Sequence, residues 1–244
     1  MLTNPVSILL AIITALFTGI TKAGMPGLGI TLPPLMAFSV PSLDSVGLMM
    51  MLMIVGDIFA IAYYRHHANF KLLKRLLPFA AIGIIFGALL LARLDNESIR
   101  PVLGILVSIL LGIEMIRRRF NLERFCDRPI LAGLTGLLAG FCSTIGNVAG
   151  PILAMYLMML RLPKHEFMGI TAWFFFIVNL TKMPIYISLD VIRIETFQTA
   201  LWLAIFVGLG AFVGIRLFRV LSQQYFDGMI LFFTALTAIL LIVG

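Results

Sequence analysis

Apolar stretches of membrane-crossing length follow one another along almost the whole chain, and they restrict the fold more than any other feature. They fall at 5–21, 24–40, 45–64, 72–92, 99–116, 130–145, 147–160, 166–187, 197–215 and 226–243. A hydrocarbon core of about 30 Å is crossed by about 20 apolar helical residues. Lipid-facing β-strands would alternate in polarity, and these stretches do not. Hydrophobic residues make up 61% of the 244, and charged residues only 12%, where a soluble domain carries roughly 25% charged. The expectation is an all-α polytopic protein with a single membrane domain, 1–244, and the lipid bilayer as its surroundings.

Several other classes are disfavoured by simple features. The first stretch has no basic residues before it, Lys22 comes only after it, and no A-x-A-like site follows, so a retained span is expected rather than a secretory signal. Two cysteines, Cys126 and Cys142, are too few for a disulfide framework. The net charge of +7 fits cationic cytoplasmic loops, with no nucleic-acid partner needed.

A charged break, RRRFNLERFCDR (117–128), divides the stretches into five and five. Sliding the chain by 122 residues superposes Gly24 on Gly146, Pro41 on Pro163, Asp44 on Glu166, Gly47 on Gly169, Asp57 on Asn179 and Tyr64 on Tyr186. Beyond Tyr64 the shift becomes 127, placing Phe70 on Phe197, Gly83 on Gly210 and Gly87 on Gly214. Leucine matches mean little in such a chain, but glycine, proline, acid and tyrosine matches at one shift indicate an internal repeat. The expected units are repeat one, 5–116, and repeat two, 130–243, joined by a cytoplasmic linker, 117–129.

Charge placement then orients the halves. With five crossings per half and the N-terminus outside, 14 of the lysines and arginines fall in inside loops and three (Arg93, Arg100, Arg193) outside. With four crossings per half the split falls to roughly 10 against 7, so the positive-inside rule favours an odd number and an inverted second repeat. Both termini are then outside a bacterial inner membrane. A variant with 5–40 and 130–160 as hairpins entering from opposite faces keeps every loop on the same side.

The broken segments are where function is expected. Residues 24–40 contain Pro26, Pro33, Pro34, Gly27 and Gly29, and proline removes a helix hydrogen bond and clashes with the preceding turn. Paired interrupted segments mark the substrate site in inverted-repeat transporters. A half-helix N-terminus at membrane depth offers unpaired N–H groups and positive partial charge to an anion. The binding residues expected in the first half are Thr21, Lys22, Gly24, Gly27 and Gly29. In the second they are Ser143, Thr144, Gly146, Asn147 and Gly150, with Asp57 and Asn179 as repeat mates beside them. The bland reading of the glycines is close helix packing.

Lys182 stands in an otherwise apolar run, WFFFIVNLTKMPIYI. An ammonium at a span centre costs about 2.5–3.5 kcal/mol on insertion scales, so it calls for an anionic partner or ligand, unless it snorkels to the interface. Lys22 is either a loop cation or, with hairpins, a charge near the midplane. His66, His67 and His165 fall in or beside inside loops, with neither paired intramembrane carboxylates nor a metal-ligand spacing such as H-E-x-x-H. No catalytic residues, metal or cofactor are therefore expected. A passive anion channel or a membrane scaffold remains the alternative to a carrier.

TKAGMPGLGITLPPL, STIGNVAGPILAMYL and GITAWFFFIVNLTKMPIYI resemble the signatures of the sulfite exporter (TauE/SafE) family across essentially the whole chain. Of the family's glycine-rich pattern, Gly24, Gly27 and Pro33 are present in the first half, and Gly146 and Gly150 in the second. Pro26 and Leu28 stand where glycines are usual, and Met155 where proline is. The resemblance implies a two-repeat transporter that exports or exchanges small sulfur-containing anions such as sulfite or organosulfonates. The residues alone indicate only an anion.

Overall fold

A computed structural model describes residues 4–26, 29, 32–40, 42–94, 129–230 and 232, and every regular element among them is helical. In chain order they are α1 (Pro5–Ala23), α2 (Leu32–Ser39), α3 (Ser42–Tyr64), α4 (Phe70–Leu91), α5 (Pro129–Gly146), α6 (Gly150–Met159), α7 (Lys164–Ser188) and α8 (Ile194–Val220). A short 3₁₀ turn, Arg65–His67, links α3 to α4. The expected stretch at 99–116, nearly all of the linker 117–129 and most of 226–243 lie outside the described residues.

Six helices among the described residues, α1, α3, α4, α5, α7 and α8, are long and apolar enough to cross a membrane. The protein is thus a multi-pass membrane protein. At 1.5 Å per residue, α2 and α6 reach only about 12 and 15 Å, half a bilayer core or less. What stands in the two interrupted stretches is therefore a break followed by a short helix.

Local chemistry accounts for several of these boundaries. The Asn4 side chain caps α1 by accepting from the Val6 N–H at 3.0 Å, with Pro5 in its first turn. Asn69 caps α4 in the same way through Leu72. α1 stops at Gly24, whose N–H closes back on the Ile20 carbonyl. α5 stops at Asn147, held at φ 59°. Asparagine is among the few residues that enter this left-handed region readily, and it serves there as a helix stop. Pro151 then sits in the first turn of α6, where its missing N–H does no harm.

α3 and α7 cross in the interior, with Leu48, Met49, Met50 and Leu52 of α3 fully buried. Flanking them, α1 packs on α8 and α4 packs on α5. Both pairs approach through glycine. A Cβ on Gly210 would stand 2.0 Å from the Leu16 carbonyl oxygen of α1, and one on Gly83 would stand 2.0 Å from the Leu137 carbonyl oxygen of α5. These are small-residue helix contacts of the kind that lets membrane helices gain dispersion energy where lipid offers no hydrophobic driving force. The outer faces of α4 and α8 carry Ile85, Phe86, Leu89, Leu201, Ile205 and Phe212, all exposed and apolar, as lipid contact requires.

Gly210→Leu should force α1 and α8 apart and destabilise the protein by about 1–3 kcal/mol. It is read as a lower unfolding temperature in detergent. Gly228→Ala, where an added Cβ meets nothing within 4 Å, should leave that temperature unchanged.

Candidate functional site

The polar residues of α1 share one side of a largely apolar helix. Thr14, Thr18 and Lys22 follow one another at intervals of four and Thr21 lies three beyond Thr18, so they fall together. Thr14, Thr18 and Thr21 donate their hydroxyl protons to carbonyls one turn back. Lys22 at the end of this row reaches Asp57 of α3, with Nζ 2.8 Å from Oδ1. Asp57 is fully buried, and its Oδ2 accepts from Asn179 Nδ2 at 2.9 Å. Lys22 Nζ also stands 4.4 Å from the centre of the Phe175 ring, a cation–π distance. Lys22 is only 11% exposed and is paired with Asp57 between the helices.

A second cluster forms around Lys182. This side chain is fully buried and does not snorkel. Nζ donates to the Ser143 carbonyl at 2.8 Å, to Ser143 Oγ at 2.9 Å and to Asn147 Oδ1 at 2.6 Å. Asn147 Nδ2 in turn donates to the Val46 carbonyl at 3.0 Å. Lys182 thereby braces the broken end of α5 against α7, and Asn147 ties that end to α3.

Tyrosines brace both breaks. Tyr64 donates its hydroxyl to the Ala23 carbonyl at 2.8 Å, and Tyr186 donates to the Thr144 carbonyl. The last carbonyls of a helix have no partner within it, so each tyrosine supplies one at the point where α1 or α5 stops.

Between these clusters lies a cavity of about 70 Å³, room for about five waters or an anion of similar bulk. Thr18, Thr21, Lys22 and Pro26 form one side, and Ser143, Asn147, Gly150 and Ala154 another. Gly29, Met53, Phe167, Thr171 and Phe175 complete the wall. Ser143 Oγ accepts from Lys182 and keeps its own proton for a ligand. The threonine hydroxyls are committed to their helices, so the side-chain donors available to the cavity are Lys22, Ser143 and the second Nδ2 hydrogen of Asn147. Gly150 opens α6 at the wall, and an added Cβ there would meet nothing within 4 Å.

The expected site residues divide by place. Thr21, Lys22, Gly29, Ser143, Asn147 and Gly150 line the cavity, while Asp57, Asn179 and Lys182 stand behind it and hold the lining side chains. Gly24 packs against Gly214 of α8. Thr144 gives its hydroxyl proton to the Gly140 carbonyl and packs on Gly87, and Gly146 ends α5. Gly27 lies outside the described residues. Thr18 and the face Phe167–Thr171–Phe175 of α7 also line the cavity, and sequence reasoning misses them. Their spacing by four residues is the available signal, obscured because apolar and aromatic residues surround it on every side.

The fold and site define a class, a helical membrane protein with a largely apolar, cation-bearing cavity between interrupted helices. Comparison with protein families sharpens this: the profile of the family described as sulfite exporter TauE/SafE matches residues 10–241. The chain belongs to that family, one of membrane transporters. No curated protein and no solved structure matches it.

Lys22→Ala leaves Asp57 buried without its counter-charge and should cost about 3–5 kcal/mol of stability. The double variant Lys22→Met, Asp57→Leu should regain most of that loss. Thermal unfolding of the two proteins in the same detergent checks both outcomes.

Proposed function

We propose that the protein is a secondary transporter that exports small sulfur-containing anions, sulfite or organosulfonates, across the bacterial inner membrane by alternating access. The cavity carries the reading. It lies where both interrupted pairs, α1–α2 and α5–α6, approach, and it meets an ammonium, a free hydroxyl proton and the start of a helix. Each favours negative charge. Its size suits an anion of a few heavy atoms.

We take the chain as two inverted repeats, 5–116 and 130–243, joined through 117–129 on the cytoplasmic side, with both termini outside. Three features support this. Asp57 and Asn179, 122 residues apart, hydrogen-bond each other, as equivalent residues do beside the axis relating two halves. Tyr64 and Tyr186, also 122 apart, each cap a helix that breaks. The packing of α1 on α8 has its counterpart in that of α5 on α4. Given the lengths of α2 and α6, 5–40 and 130–160 are taken as hairpins from opposite faces, which leaves the loop sides unchanged.

Rocking one half against the other around the cavity would expose the anion to each side in turn. Outward movement of each negative charge gains about 2.3 kcal/mol per 100 mV of inside-negative potential. Export therefore needs no coupling ion.

Protein reconstituted into liposomes should move labelled sulfite, thiosulfate or a sulfonate faster than protein-free vesicles. Ser143→Ala, which removes a donor to the anion, should slow the rate by about tenfold. Gly150→Leu, which fills the cavity, should slow it too. Unlabelled anion on the opposite side should accelerate exchange; its failure to do so would identify a channel. If nothing in the panel crosses, the reading is wrong.

A further inference from the structure

We infer that the cavity is built for anions bearing a single negative charge, with Lys182 setting that valence; this rests on the transport reading above. The fully buried charged side chains among the described residues are Asp57 and Lys182, with Lys22 beside them at the cavity wall. Lys22 and Asp57, 2.8 Å apart, cancel one another. Lys182 meets neutral oxygens, the Ser143 carbonyl, Ser143 Oγ and Asn147 Oδ1.

Asn147 cannot be turned over, because its Nδ2 is spent on the Val46 carbonyl. Three oxygens therefore surround Nζ, the number that an ammonium can donate to. The Tyr186 ring lies 5.4 Å from Lys182 Nζ, and that tyrosine's hydroxyl is committed to the Thr144 carbonyl, so it supplies no negative charge. The cluster holds two ammonium groups against one carboxylate.

Among the described residues, one positive charge thus stands without a counter-charge in a low-dielectric interior, where such a charge is expensive unless paired. A monoanion in the cavity closes the balance. A dianion leaves a negative charge over, and a neutral molecule leaves the positive one. Ser143 joins Lys182 to the cavity: its Oγ accepts from Nζ while the residue lines the ligand space, and a hydroxyl polarised by an ammonium is the stronger donor. Lys182 acts on the anion through this hydroxyl and through its field, as a positioning and charge-setting residue.

Methanesulfonate and thiosulfate make the test sharp. Each is a sulfur bearing three oxygens and one further heavy atom, but the first is a monoanion and the second a dianion. In liposomes containing the full chain, methanesulfonate should be transported about tenfold faster than thiosulfate. Sulfite flux should follow the hydrogen sulfite fraction as pH is varied. Asp57→Asn adds one positive charge to the cluster and should shift the thiosulfate-to-methanesulfonate ratio about tenfold toward thiosulfate. Lys182→Met should depress methanesulfonate transport without that shift.

The ratio is measured within one preparation, so a smaller folded fraction in a variant does not alter it. Equal wild-type rates for the two anions would overturn the inference while leaving transport intact. Absence of flux for every anion would overturn the transport reading, and this inference with it.

Discussion

A helix interrupted inside a membrane exposes backbone carbonyls and N–H groups that lipid cannot satisfy, and the rest of this structure is arranged around that demand. Where α1 ends, Tyr64 reaches the Ala23 carbonyl from the far end of α3. Where α5 ends, Tyr186 takes the Thr144 carbonyl and Lys182 takes that of Ser143, both from α7. The central helices α3 and α7 are thus tied to the breaks as well as packed against them. Their fixed position leaves space between the broken ends, and the cavity occupies it.

The same braces place charge in the interior. A lysine used only to satisfy a carbonyl would be a costly choice, since tyrosine does that work at both breaks without charge. Lys22 and Asp57 form an ion pair, while among the described residues Lys182 meets neutral oxygens. In the proposed reading, an ammonium beside the cavity ties the structural role of the break to anion recognition. Glycine serves the frame: Gly19, Gly83, Gly210 and Gly214 let the flanking helices come close enough to hold the breaks in register.

Many of these features are legible in the amino-acid sequence. The spans stand out because membrane burial makes hydrophobicity continuous over about 20 residues. The breaks stand out because Gly146-Asn147 and Gly150-Pro151 have backbone preferences that end one helix and begin another. Lys182 and Asp57 are conspicuous as charges within apolar runs. Their partners are not. Charge in an apolar run suggests that Asp57 could neutralise a buried lysine, but whether Lys22 or Lys182 is the one depends on how α1, α3 and α7 cross. Nor does local pattern separate glycines that line a cavity, such as Gly150, from those that pack helices, such as Gly24; both are simply small.

By itself, the sequence determined a helical membrane protein with two interrupted segments and a few buried charges, because hydropathy, glycine and proline act locally. Which residues face one another was decided only in three dimensions. Lys22 joins Asp57, Lys182 joins Ser143 and Asn147, and six of the expected residues line one cavity while three stand behind it. The reason is physical: a helix fixes the direction of a side chain relative to its own axis, but the partner that direction meets depends on how the helix packs against others elsewhere in the chain.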